Sequence, residues 1–319
     1  MKPIIRALVI LLIMVLCIRC ENESLPQVHT GKLFVFSEAA YCYGWIFSNG
    51  ATEVDKFGFV WSKSDEPEIQ NSKIAAGNGT NYFGTTIRVL SANTTYSLKA
   101  FADYKGGILY GEEKQIATTR IGNFTDSRDG RTYKWIEIGK QIWMAENLAY
   151  LPYISPFTND SGIFVYNYKG TSVEAAKLQH EFIKYGCLYS WDISLEACPE
   201  GWHLPDLGEW QELETYIGMT SQQISQGSEA IHAYLLQSTD WSNHSNNATS
   251  FSALPAGYHQ PSSYDYYFDG LGNKTYYWAS TIIDDMPYIL SLDYRRVFEM
   301  VASKDNGNSV RCIKDPPKK

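Results

Sequence analysis

CPEGWHLPDLGEWQELE, residues 198–214, packs a cysteine, two tryptophans, a histidine and a run of carboxylates into one short stretch. In an enzyme such density would mark an active site; in a secreted domain it marks a corner of the scaffold. The spacing favours the scaffold. Pro205 and Asp206 are helix-start residues, and Glu209 follows Asp206 by the three positions of a capping box, in which each side chain satisfies the other's exposed backbone N–H. Trp210, Leu213 and Ile217 then recur at helical spacing until Gly218 ends the run. On this reading one carboxylate caps, Trp210 faces a core, and Glu212 and Glu214 face solvent.

The flanking sequence alternates short strands with helical segments. DGRTYKWIEIGKQIWMAENL, residues 129–148, reads as a turn at Asp129 and Gly130, a strand carrying Tyr133, Trp135, Ile136 and Ile138, a turn at Gly139, and a strand carrying Ile142 and Trp143. TSVEAAKLQHEFIKYG, from 171, sets Thr171 three residues before Glu174 and puts Leu178, Phe182 and Tyr185 on one helical face. Residues 29–118 look different. Tyr96, Leu98, Ala100 and Ala102 alternate with Ser97, Lys99 and Asp103, Phe101 being the exception, and Lys105 to Gly107 supply a hairpin turn toward Leu109. With FGFVWS at 57–62, this half predicts a small all-β sandwich.

The chain begins with two early cations and an apolar run from Ala7 to Leu16, too short for a bilayer span of about 20 residues, which predicts a signal peptide over 1–19. Cys20 ends the run and is followed by Glu21, Asn22 and Glu23. That order is similar to a bacterial lipoprotein signal, although Arg19 stands where a small residue is usual; the alternative is plain secretion. The segment 1–19 holds Lys2, Arg6 and Arg19, so the mature chain has 24 Lys plus Arg against 35 Asp plus Glu, a net charge of -11. An acidic chain without a basic cluster excludes nucleic acid as a partner, since phosphate neutralisation supplies most of that affinity.

Two resemblances follow. LSANTTY, with Leu90, Thr94 and Tyr96, resembles the L-x-P-x-T-x-Y signature of fibronectin type III domains, Ala92 replacing the proline. In the second half, DGRTYKWIEIGKQIWMAENLAY, YGCLYSWDISLEACPEGWHLPDLGEWQELE, FSALPAGYH, YYWAST and NSVRCIKD occur in that order. They resemble the Fibrobacter succinogenes major paralogous domain across about residues 123–314. The resemblance implies a fold near the C-type lectins and the formylglycine-generating enzymes. The expected architecture is therefore multidomain: signal peptide 1–19, lipid anchor and linker 20–28, a fibronectin type III-like all-β sandwich 29–118, an α+β lectin-like domain 119–315, and a tail 316–319.

After processing, Cys42, Cys187, Cys198 and Cys312 remain beside Cys20, and four cysteines permit three pairings. The family resemblance implies the pair Cys198–Cys312 and leaves Cys187 and Cys42 as buried thiols. The formylglycine-generating enzymes depend on neighbouring cysteines and an Arg-Gly-Gly-Ser-Trp-like segment near the C-terminus, and this chain has neither. HExxH, GxSxG and P-loop motifs are absent, no CxxC pair lies beyond the signal segment that ends at Cys20, and the histidines are scattered, His203 reading as a hydrogen-bonded turn residue. The expectation is no enzyme, no cofactor and no metal. Asp265, Asp269 and Asn273 are the nearest approach to a set of oxygen ligands, without the tripeptide of a lectin calcium site, and read as turn residues.

QPSSYDYYFDGLGNK, residues 260–274, clusters Tyr264, Tyr266, Tyr267 and Phe268 with Asp265 and Asp269. Aromatic faces stack on the C–H face of a pyranose while short acids accept its hydroxyls. The same composition suits protein contact, or a small satellite core. The expectation is a non-catalytic outer-membrane lipoprotein, exposed on a Bacteroidetes-like cell surface. Its membrane contact is the lipid anchor alone, and Tyr264, Asp265, Tyr266, Tyr267 and Asp269 contact a polysaccharide. The alternative is a structural or adhesive subunit that binds a cell-surface protein.

Overall fold

The computed structural model describes residues 25–48, 53–79, 82–228, 230–241, 245–261 and 266–317. The chain forms two compact units that are mostly sheet with few helices. One comprises the chain up to Leu33, Cys42–Thr85 and Thr95–Ile116, the other Phe34–Tyr41, Thr86–Thr94 and the chain from Ala117 onward.

The first unit draws on β1 (Gln27–Val35), β2 (Ala40–Phe47), β3 (Val54–Ser62), β4 (Ser72–Gly77), β5 (Tyr82–Ile87), β6 (Thr95–Tyr104), β7 (Gly107–Tyr110) and β8 (Lys114–Ala117). One sheet has the order β1-β2-β5; the other runs β4-β3-β6-β7, with β8 also on β6. Phe83 on β5 meets Phe57 and Phe59 of β3, ring centroids 4.5 and 5.3 Å away, so the core lies between the two sheets. The predicted hairpin is present, with Tyr104 opposite Gly107 across a two-residue turn. The irregular Phe101 is explained by position: β6 is flanked by β3 and β7 and is buried on both faces over Tyr96–Leu98 and Ala100–Ala102.

The second unit contains β9 (Ile121–Thr125), β10 (Thr132–Ile138), β11 (Gln141–Met144), β12 (Ile163–Phe164), β13 (Leu188–Tyr189), β14 (Trp202–His203), β15 (Ala256–Pro261), β16 (Tyr266–Leu271), β17 (Lys274–Ile283), β18 (Met286–Asp293), β19 (Val297–Val301), β20 (Asn308–Ser309) and β21 (Ile313–Lys314). They form one sheet of order β14-β21-β11-β10-β9 and another of order β12-β13-β20-β17-β15-β16, extended by β18 on β17 and β19 on β18. The 129–148 hairpin folds as read, with Ile138 opposite Gln141 and Gly139 at φ +63° in the turn.

The helix Leu207–Tyr216 carries the predicted capping box. Asp206 accepts from Glu209 N at 2.8 Å, and the Glu209 carboxylate accepts from Asp206 N at 2.9 Å. Trp210 and Leu213 enter the core, and Gly218, at φ +107°, ends the run. Around Trp210 lie Trp143, Tyr277 and Phe251, ring centroids 4.6, 5.8 and 6.1 Å away. Rings of this size dominate core energetics, each burying about 150–250 Å².

Two local expectations fail. The single helix expected from Thr171 is two: Val173–Lys177, capped by Ser172 rather than Thr171, and His180–Tyr185. Gln179 is extended between them and Leu178 is 79% exposed. The small Ala176 already closes the core on that side, and only Phe182 and Tyr185 of the expected face are buried. Glu214 does not face solvent; it is fully buried.

Candidate functional site

Of the residues expected to contact a ligand, Tyr264 and Asp265 lie outside the described residues, as does Cys20. Tyr266 opens β16, its backbone opposite Pro261. Tyr267 is 40% exposed and donates its hydroxyl proton to Gln260 Oε1 at 3.0 Å. Phe268 turns the other way, its ring 5.2 Å from Tyr166 and 5.1 Å from His259. Asp269 accepts from the Tyr258 hydroxyl at 3.1 Å. Among the described rings of this segment, Tyr267 is presented outward and Phe268 is packing.

A cleft of about 810 Å³ elsewhere in the second unit brings together groups that the sequence keeps far apart. Its aromatic wall is Trp135 on β10, directly opposite Gly122 on β9. A Cβ at 122 would lie 2.5 Å from the indole, so the ring rests on the bare backbone of Gly122. Such an arrangement places a large aromatic flat against a strand glycine. Beside it, Glu146 accepts from Lys134 N at 3.2 Å, and Lys184 forms an ion pair with Asp240 at 2.9 Å.

The opposite wall is the turn 247–252. Asn247, Ser250 and Ser252 all line the cleft and all have positive φ, +47°, +58° and +55°. Non-glycine residues occupy this region at a cost, and they persist where surrounding contacts over-determine them. Those contacts are present. Asn247 Oδ1 accepts from Ser252 N at 2.9 Å and its Nδ2 donates to Ser252 Oγ at 2.9 Å. From beneath, the fully buried Arg311 donates to the carbonyls of Phe251, Ser252 and Met144 and to Asn147 Oδ1 at 2.6 Å. Its guanidinium lies 4.5 Å from the Phe251 ring centroid and 5.3 Å from that of Tyr277. Burial lowers its pKa from the usual arginine value, and carbonyls and ring faces replace the missing counter-ion.

The titrating pair in the cleft is held in its charged forms. The hydrogen bond with Asp240 raises the Lys184 pKa, and the same bond lowers that of Asp240. A general acid or base needs the opposite tuning, toward the working pH. The cleft offers a ring face, amides, hydroxyls and fixed charges. Trp135 was legible only as a strand residue. The signal that could have drawn attention to the facing turn is the run of small polar residues, NNATSFS, with no glycine to supply its positive φ angles.

His203 has both ring nitrogens engaged, Nε2 with Glu209 at 3.0 Å and Nδ1 with Asp315 at 2.7 Å. The Glu209 hydrogen bond, reinforced by Asp315, raises its pKa to about 9, so both nitrogens donate and neither is open to a metal or a substrate. Cys198 and Cys312 form a disulfide next to this bridge. Cys187 is buried and its thiol is pushed up to about 12 by burial; Cys42 is also buried, with its pKa raised for the same reason. Among the described residues no three or more His, Cys, Asp or Glu are grouped to hold a metal ion.

No curated protein matches the chain. Among solved structures, a match is found to the twitchin kinase region of C. elegans, at 18% identity and a TM-score of 0.22; it covers 34% of this chain and 20% of that one. The chain thus spans about a fifth of that structure's length. The family model of the Fibrobacter succinogenes major domain matches residues 136–314, which include the capped helix, the disulfide, the buried arginine and most of the cleft. With more than half of its length matched, the chain belongs to the Fibrobacter succinogenes major domain family.

Proposed function

We propose that the protein is a non-catalytic cell-surface lipoprotein, anchored to the outer membrane through Cys20, whose second unit is a C-type-lectin-like domain that binds an extracellular polysaccharide. The first unit acts as a fibronectin type III-like spacer. The observation that carries this reading is the cleft between Trp135 and the turn 247–252. It combines a half-buried indole with amide, hydroxyl and carboxylate groups held by their own hydrogen bonds, and recognition sites are built this way, from an apolar face and a few fixed polar groups. The Tyr267 side of the β15–β16 hairpin supports it less, because Asp269 is already engaged by Tyr258.

The test is a glycan array followed by calorimetry on the chain from Glu21 onward, comparing parent, Trp135→Ala and Tyr267→Ala. Saccharide binding lost in Trp135→Ala and kept in Tyr267→Ala supports the cleft. Loss in Tyr267→Ala alone moves the site to the hairpin. No binding by the parent overturns the saccharide reading.

One observation favours the adhesive reading. On the first unit, Tyr43, Phe47 and Tyr82 are 37%, 54% and 78% exposed, and the Trp45 ring lies 5.0 Å from His29 and 6.1 Å from Tyr82. Exposed aromatic rows of this kind serve as anchors in protein contacts. Capture of one envelope protein by the parent and not by Trp45→Ala, with no saccharide bound, would favour it.

A further inference from the structure

Glu214 stands on the buried side of the helix Leu207–Tyr216 and is completely removed from solvent. Neither of its carboxylate oxygens has a hydrogen-bond donor. It faces Glu299 on β19, within hydrogen-bonding reach, and Oε1 of Glu299 is likewise buried and without a donor. Only Oε2 of Glu299 is served, by Gln211 Nε2 at 3.1 Å. Three carboxylate oxygens therefore converge in a place where unpaired acceptors are costly.

Protonation alone does not resolve this arrangement. One shared proton joins one oxygen of Glu214 to Oε1 of Glu299 and leaves the other Glu214 oxygen unserved. A cation taken bidentate by Glu214 and through Oε1 by Glu299 engages all three. A cleft of about 450 Å³ opens onto Glu299 and is lined by the oxygen-bearing side chains of Gln211, Thr215, Ser221, Ser225 and Tyr288 together with the apolar Ile224. It offers an entry path and room for water ligands. An all-oxygen set with a bidentate carboxylate is suited to calcium rather than to zinc or copper, and magnesium would demand a more regular octahedron.

From this the geometry points to a calcium site formed by Glu214 and Glu299, linking the capped helix to β19. It stands apart from the saccharide cleft and does not depend on that reading.

The test uses the mature chain after dialysis against EDTA, with calcium chloride as the probe, followed by calorimetric melting. Saturating calcium is expected to raise the melting temperature by about 5 °C. Glu299→Gln and Glu214→Gln, each shown to be folded by circular dichroism, should both lose that response. An unchanged melting temperature in the parent, or a rise that persists in both variants, overturns the proposal, the latter because the ion then binds elsewhere.

Discussion

Asp315 Oδ1 lies 2.7 Å from Nδ1 of His203, so a residue beyond the last strand completes the bridge that the helix cap Glu209 begins on the other side of the ring. The consequence is a pH-dependent tie. The folded His203 pKa is about 9, above the unfolded value near 6.5, so its stabilisation is fully present below about pH 6.5 and is lost as pH rises through 9. The ring is about one-third exposed, and solvent screening reduces the linkage energy to about 1 kcal/mol. Urea unfolding of His203→Gln should show that loss at pH 6 and almost none at pH 10. A loss equal at both values would mean that the ring acts through packing alone.

Arg311 is a second point of sensitivity. Replacing it with lysine keeps the charge but removes the planar fork that reaches Phe251 O, Ser252 O and Asn147 Oδ1 together. Arg311→Lys is expected to destabilise by about 3 kcal/mol, in the range for breaking a buried charged network. Because the same bonds hold the turn 247–252, hydrogen exchange at those amides should accelerate more than at β10. Uniform acceleration would argue against the local role.

The disulfide gives a prediction that a thiol count can check. Cys198 and Cys312 are 114 residues apart, and closing a loop of that length contributes about 4–5 kcal/mol in the chain-entropy model. The double variant Cys198→Ser and Cys312→Ser should lose roughly that stability in urea. The chain from Glu21 should show no reactive thiol when native and two when denatured without reductant, since Cys42 and Cys187 are buried and unbridged.

Residues 198–218 could be read ahead of the structure because their signals are local: a cap, a period and a terminating glycine, each set by neighbours a few positions away. Glu214 broke the pattern because burial on the β19 side is a tertiary property, and Glu299 lies far along the chain. The same holds for 171–186, where helical spacing was visible but the space available for Leu178 was not. The cleft was hidden for a related reason: the hairpin that holds Trp135 and Glu146 meets Asp240 and Ser252 from distant segments, and only the folded chain shows that Gly122 lies opposite the indole. The aromatic hairpin stood out because its composition is concentrated in sequence, which says little about which rings end up outward.

The short strands β20 and β21 occupy interior places in their sheets, β20 between β13 and β17, and β21 between β14 and β11. Residues 308–314 leave the ribosome after every strand they pair with. Neither sheet of the second unit can be assembled in order of synthesis; both wait, with an unfilled slot, for the same late segment. Closure of the domain is therefore the last event of its assembly, and a nascent chain stalled before Asn308 would expose two incomplete sheets at once.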